Sequence, residues 1–283
     1  MKIEINWIAN VFKTARYTGL RWNCQAGTHT LENRYKMCGI HASISTKGFQ
    51  PPSSGLELLL CNRGPDHVGV AQAEITQDGE TLWLSFTSTV LALRGGHLQI
   101  QPFVDSRNGS VFCWNGEAWR IDSEPVMGND GQKIFEALLE AISKELSSDS
   151  TAAVLGVLRS ISGPFAFVFL DKIHGHIYFG RDRLGRRSLL YNTESLPGCM
   201  EFASASDTDR QGWKEVEADA IYQLSFNDKI GSQNPQDYLS ATPLLPLKAH
   251  PWIPCCLASS VSRPILCCCS LLSASASGCD SDT

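Results

Sequence analysis

The chain has 283 residues, 43% of them hydrophobic and 19% charged, which excludes disorder throughout and suits one or two folded domains. A net charge of −5, with the first 37 positions themselves net positive, leaves an acidic middle that argues against nucleic acid as a partner. No apolar run reaches the roughly 18 residues of a membrane span, and no signal peptide opens the chain, so a cytoplasmic protein with reduced thiols is expected and no membrane partner.

The eleven cysteines are unevenly spread. Cys24 lies in the basic start, and Cys38, Cys61, Cys113 and Cys199 lie in the middle. Cys255, Cys256, Cys267, Cys268, Cys269 and Cys279 crowd the end. The tail cysteines lack Cys-x-x-Cys spacing and carry no interleaved histidine, so no metal site is expected. Their bare presence leaves reversible lipidation conceivable.

In chain order, residues 1–36 form a weakly structured leader in which Ile5, Ile8, Val11, Phe12 and Ala15 follow helical spacing. Glu4 and the poverty in serine count against a mitochondrial presequence. From 37 to 231 the pattern predicts an α+β domain. Residues 37–45, 82–86 and 110–114 read as strands. Asn129-Asp130 can cap a helix whose Ile134, Phe135, Leu138, Ile142 and Leu146 recur at core spacing. A second helix is expected over 151–161, ending at Ser162-Gly163-Pro164. Residues 165–170 read as a buried strand, followed by a turn at 172–175 and strands at 176–179, 188–192 and 201–204. His174 and His176 bracket that turn and read as hairpin decoration rather than ligands. Beyond 232 the periodicity fails, with Pro243, Pro246, Pro251, Pro254 and Pro264 breaking any helix, so 232–283 is expected to be a disordered tail.

A thiol such as Cys38 attacks as thiolate and needs a base or a positive field nearby. His41, three residues on, would point to the opposite face of a strand, and by itself Cys38 reads as a small buried residue. Its company changes that. Met37-Cys38-Gly39-Ile40 is followed by Arg63-Gly64-Pro65-Asp66, Leu93-Arg94, Gln101-Pro102 and Trp114-Asn115-Gly116-Glu117. Then come Gly128-Asn129-Asp130, the run Ser162-Gly163-Pro164-Phe165-Ala166-Phe167 and residues 180–189. In this order and spacing the set resembles the glutaminase domain of asparagine synthetase, a class II glutamine amidotransferase, over about residues 37–231.

The resemblance implies an N-terminal-nucleophile fold, a four-layer αββα sandwich with two stacked antiparallel sheets. It also implies that Cys38, exposed by removal of Met37, attacks the side-chain amide of glutamine with its own α-amine as base. Asn115 and Gly116 would form the oxyanion hole, Arg94 would clamp the substrate carboxylate, and Asp130 and Glu117 would take its ammonium. The products would be glutamate and ammonia, for asparagine biosynthesis. Each residue has a plainer reading as well. Arg94 can be a surface charge, Asn115-Gly116 a type I′ hairpin turn, Asp130 a helix cap, and 63–66 a turn that shapes the site.

Two departures follow. With 1–37 attached, the α-nitrogen of Cys38 is a peptide amide and no base, so activity is conditional on its exposure; otherwise the chain is a silent amidotransferase-fold binding module. The synthetase half is missing too: Ser277-Gly278-Cys279-Asp280-Ser281 is one residue short of a phosphate-cradling loop. A truncated chain is expected, needing no cofactor of its own. ATP and Mg would belong to the absent synthetase domain, and the ammonia would pass to such a domain or a separate synthetase chain.

Overall fold

The computed structural model describes residues 37–77, 79–92, 98–144, 150–208, 210–226 and 247–253. The first elements are β1 (Gly39–Ser45), α1 (Ser54–Arg63), β2 (His67–Gln77) and β3 (Glu80–Val90). Next come β4 (Phe103–Val104), β5 (Val111–Gly116), β6 (Arg120–Ile121), β7 (Glu124–Pro125) and α2 (Asp130–Lys144). After these lie α3 (Thr151–Ser160), β8 (Ile161–Ser162), β9 (Phe165–Asp171) and β10 (His176–Arg181). The series ends with β11 (Leu190–Asn192), β12 (Cys199–Ala203), β13 (Lys214–Glu215), β14 (Ala220–Ser225) and β15 (Leu247–Pro251).

Two six-stranded sheets carry the fold, one ordered β13-β11-β12-β1-β3-β2 and the other β15-β14-β10-β9-β5-β4. Every strand pair named in them is antiparallel. Because side chains alternate along a strand, each sheet offers one face to the other and one face outward. Ile40, Ala42 and Ile44 of β1, with Leu84 and Phe86 of β3, meet Val111 and Cys113 of β5 and Ala166, Val168 and Leu170 of β9. On the far face of the second sheet Phe112, Trp114, Phe165, Phe167 and Phe169 pack under Ile134 and Leu138 of α2 and Val154 and Leu158 of α3. Leu56 and Leu60 of α1 cover the outer face of the first sheet at Ala203. The layers therefore run α-β-β-α, as the expected sandwich requires.

The expected strands at 82–86, 165–170 and 176–179 lie within observed ones, and the one at 110–114 overlaps β5 from Val111 onward. Asn129 caps α2, its Oδ1 accepting the Gln132 N–H at 2.9 Å, which frees Asp130 for another use. Leu146, expected to extend that helix, lies outside the described residues, as do the leader 1–36 and most of the tail. Two expectations are corrected. Residues 247–251, assigned to a disordered tail, pair with β14 along five positions. His174 and His176 are buried rather than decorative: His174 Nδ1 is 2.7 Å from Asp171 Oδ2, and His176 Nδ1 is 3.0 Å from Ser225 Oγ. A hairpin that folds back over a sheet encloses its own polar side chains, which then need partners.

Cys61, Cys113 and Cys199 are buried, as expected of core thiols. Burial pushes the Cys113 and Cys199 thiols up to about 12, so both stay protonated at neutral pH. His41 Nε2 and Glu201 Oε1 form a buried hydrogen bond at 3.2 Å on the face under α1, and Arg210 pairs with the same carboxylate oxygen. Burial raises the Glu201 carboxyl, but the hydrogen bonds and charges of His41 and Arg210 outweigh it and hold the group below its ordinary value. Phe112 is fully buried and faces five aromatic rings: Phe103, Trp114, Phe135, Phe167 and Phe169. Phe112→Ala should cost about 3–5 kcal/mol, read as a lowered denaturant midpoint at unchanged slope.

Candidate active site

Cys38 stands just before β1, where three elements meet. The Met37 N–H donates to the carbonyl of Arg63 at 3.1 Å, and Arg63 Nε donates back to the Cys38 carbonyl at 3.4 Å. This doubled contact pins the residue before β1 to the end of α1. The thiol lies over the exit of β3, accepting the Leu91 N–H at 3.5 Å. Gly39 makes the approach possible, since a Cβ there would come within 2.4 Å of Thr89 Oγ1. Asp66, in the turn after α1, accepts the Ala92 N–H at 2.7 Å and so ties that turn to the exit of β3. Arg94 itself lies outside the described residues.

Asn115 and Gly116 close β5 and are not a hairpin turn. They pair with Ala166 and Phe165 of β9. A Cβ on Gly116 would sit 2.6 Å from Cβ of Phe165, so the close approach of the two strands requires glycine. The Asn115 side chain is buried, and its Nδ2 has no hydrogen-bond partner among the described residues. An unused buried amide donor costs about 1–3 kcal/mol, so such a group points to something that accepts from it.

Asp130 faces inward from the first turn of α2. Its Oδ2 accepts the Trp114 indole N–H at 3.1 Å and the Ala118 backbone N–H at 2.7 Å, tying α2 to the strand end and to the residues after it. Glu117 follows directly, its N–H donating to the Pro164 carbonyl at 2.9 Å. Asp182 and Arg186 brace the same region from behind. Asp182 Oδ2 accepts the Phe165 N–H at 3.1 Å, and Arg186 Nη2 donates to the Gly163 carbonyl at 2.6 Å. The supporting part of the 180–189 motif is thus visible in its hydrogen bonds.

Charge completes the geometry. Burial pushes the Cys38 thiol above its ordinary value; the Leu91 N–H opposes this, the Asp130 carboxylate adds to it, and the Arg63 and Arg187 guanidiniums counter it. Burial and Arg187 together lower the Arg63 guanidinium. The charges of Asp130, Arg63 and Arg187 therefore all bear on the Cys38 thiol. Arg187 had no individual role in the sequence reading. It stands in the recognisable 180–189 motif, but only the fold brings it from the far end of the domain to Cys38.

Comparison with known proteins bears on this arrangement. The family profile described as "Glutamine amidotransferase domain" matches residues 88–208. "Asparagine synthetase domain-containing protein 1" of Mus musculus is 31% identical over 76% of this chain and 32% of its own length. "Asparagine synthetase domain-containing protein CG17486" of Drosophila melanogaster is 35% identical over 68% of this chain and 32% of its own. This region is a glutamine amidotransferase domain, similar in sequence to asparagine synthetase domain-containing proteins. Among solved structures, the glutamine phosphoribosylpyrophosphate amidotransferase of B. subtilis superposes with a TM-score of 0.48 at 14% identity, covering 67% of this chain and 47% of that one. The chain spans about a third of the length of the curated relatives it matches.

In this amidotransferase domain Met37 is held in place. Arg187 Nη1 lies 3.0 Å from Met37 Sδ, besides the bond of the Met37 N–H to Arg63. The raised Cys38 thiol means that its alkylation should climb with pH on the alkaline side of an ordinary thiol. Asp130→Asn removes a raising charge and should move that midpoint down; Arg187→Met removes a lowering charge and should move it up. Iodoacetamide labelling of Cys38 against pH, read by mass spectrometry, checks both signs.

Proposed function

We propose that the amidotransferase domain at 37–231 hydrolyses glutamine to glutamate and ammonia once Cys38 is the first residue. The reading rests above all on the buried, unpartnered Nδ2 of Asn115 beside Gly116, at a strand end where charge could be received. In the free form the α-amine of Cys38 takes the thiol proton, working near its ordinary value of about 7.7–8.0. The thiolate attacks the side-chain amide carbon. Negative charge moves to the amide oxygen and is met by Asn115 Nδ2 and the Gly116 N–H, an interaction absent from the ground state. The protonated amine returns its proton to the leaving nitrogen and ammonia departs. Water then cleaves the γ-glutamyl thioester, giving glutamate and restoring the thiol.

Arg94 would hold the substrate carboxylate through a bidentate pair, and Asp130 and Glu117 its ammonium. Asp130 suits this because its Oδ2 is already fixed by two N–H donors, so the carboxylate is oriented before substrate arrives. This half-reaction needs no cofactor. The names of the relatives support a destination for the ammonia, namely a synthetase domain or chain that carries the ATP and Mg chemistry of asparagine formation. Among the described residues no helix is long and apolar enough to cross a membrane, and the four described cysteines are free, which suits work in the reducing cytoplasm.

A second reading has a specific observation in its favour. Met37 is seated by Arg63 and Arg187, and while it stays bonded to Cys38 the Cys38 nitrogen is a peptide nitrogen; in that form the domain would be a silent binding module. The two readings separate in one assay. A chain beginning at Cys38 should release glutamate and ammonia from glutamine, while the verified 1–283 chain and a Cys38→Ala form should not. Turnover that survives Cys38→Ala sinks the mechanism, and inactivity of the Cys38-first chain leaves the binding module. In the active form Asn115→Ala should lower kcat by about 10²–10³.

A further inference from the structure

Strand β15 carries few features of a buried strand: its residues are mostly exposed, and a proline ends it. It is nevertheless firmly attached to the edge of the second sheet. Five residues pair with β14, His250 Nε2 donates to Gln223 Oε1 at 2.9 Å, and Arg159 Nη2 donates to the Pro251 carbonyl at 2.8 Å. The Trp252 N–H then donates to the Asp219 carbonyl at 3.3 Å, fixing the direction in which the chain leaves the strand.

That direction puts the Trp252 ring against Phe165, edge to face, with centroids 5.9 Å apart. Phe165 in turn stacks on Trp114 at 5.1 Å and 22°. The Trp114 indole N–H holds Asp130 Oδ2, and the same oxygen holds the Ala118 N–H. Phe165 is also the residue against which Gly116 closes. One ring contact therefore separates Trp252 from the residue that sets both the end of β5 and the orientation of Asp130. Aromatic contacts of this kind fix ring planes as well as burying area.

We propose that Trp252 is a positioning residue for the active site: carried on β15, it locks Phe165, and through it the Trp114–Asp130 pair and the Gly116 strand end. Its effect on glutamine rests on the glutaminase reading above. Its effect on the strand end rests on the contacts alone. A segment outside the 37–231 region thereby governs how tightly the site is held. If β15 only sealed an exposed sheet edge, its far end would matter as much as Trp252. Leu247, exposed at that far end, is the natural control.

Amide hydrogen exchange of the 1–283 chain reads the proposal without any activity. Trp252→Ala and the more conservative Trp252→Leu should speed exchange at Ala118 about three- to tenfold while Ala42 and Phe86, in the first sheet, stay protected. Trp252→Phe should restore the slow rate, and Leu247→Ala should not change it. In the chain that begins at Cys38, Trp252→Ala should raise KM for glutamine more than it lowers kcat. Unchanged exchange at Ala118 in both variants overturns the proposal. So does a rise shared equally by the first sheet in both, or one matched by Leu247→Ala. If the Cys38-first chain shows no turnover, the glutaminase reading fails while the exchange result still decides the role of Trp252.

Discussion

Strand β9 has no face that can meet water. Ala166, Val168 and Leu170 belong to the core between the sheets, while Phe165, Phe167 and Phe169 lie beneath α2 and α3. Such a strand must be central and covered on both sides, and the rest of the domain satisfies that demand. β5 and β10 flank it, the first sheet closes one face and the helices close the other. The same strand also dictates where chemistry can occur. Its first residue crowds Gly116, and the Asp182 carboxylate anchors its first N–H, so the end of β5 is held from two directions. A rigid strand end with a buried amide donor is a preorganised place for developing negative charge.

How far this was legible in sequence depends on which signal each element leaves. The six-residue apolar run of β9 and the spaced stripe of α2 follow from burial on two faces and on one, and both can be read directly. Helix α1 left no such stripe: Leu58 and Leu59 are exposed beside buried Leu56, Leu60 and Cys61, so the segment is apolar all round and lacks a readable period. Strand β15 failed for the opposite reason, being mostly exposed and ended by Pro251. Its pairing is decided by the free edge of β14, a tertiary fact. Asp130 could not be separated from a helix cap by sequence, because Asn129 beside it is equally able to cap. The structure gives the cap to Asn129 and turns Asp130 inward.

Electrostatics at Cys38 is a balance that no linear motif states. Burial and Asp130 favour the thiol; the Leu91 N–H, Arg63 and Arg187 favour the thiolate. A thiol held toward its protonated form would need a local base to act as a nucleophile, since the field alone does not ionise it. The two guanidiniums would also disfavour protonation of an amine at the same position, keeping it neutral and able to accept the thiol proton. The cationic pair would thus serve nucleophile and base together, while Asp130 offsets it and remains available to an ammonium.

The site is shaped at two further points of very different kind. Met37 sits at the front, bonded to Arg63 and touched by Arg187, and it occupies the nitrogen that the chemistry would require. Trp252 sits behind, against Phe165, and touches no group that would react. Hydrolytic removal of Met37 would create a charge, because a peptide nitrogen would become an amine that can be protonated. Loss of the second contact would change no charge and only loosen rings. On the proposed mechanism the presence of Met37 would decide whether a base exists, and the rear contact how closely Asn115, Gly116 and Asp130 are held. Competence and precision would then be set by separate segments of the chain, so that each could be altered without the other.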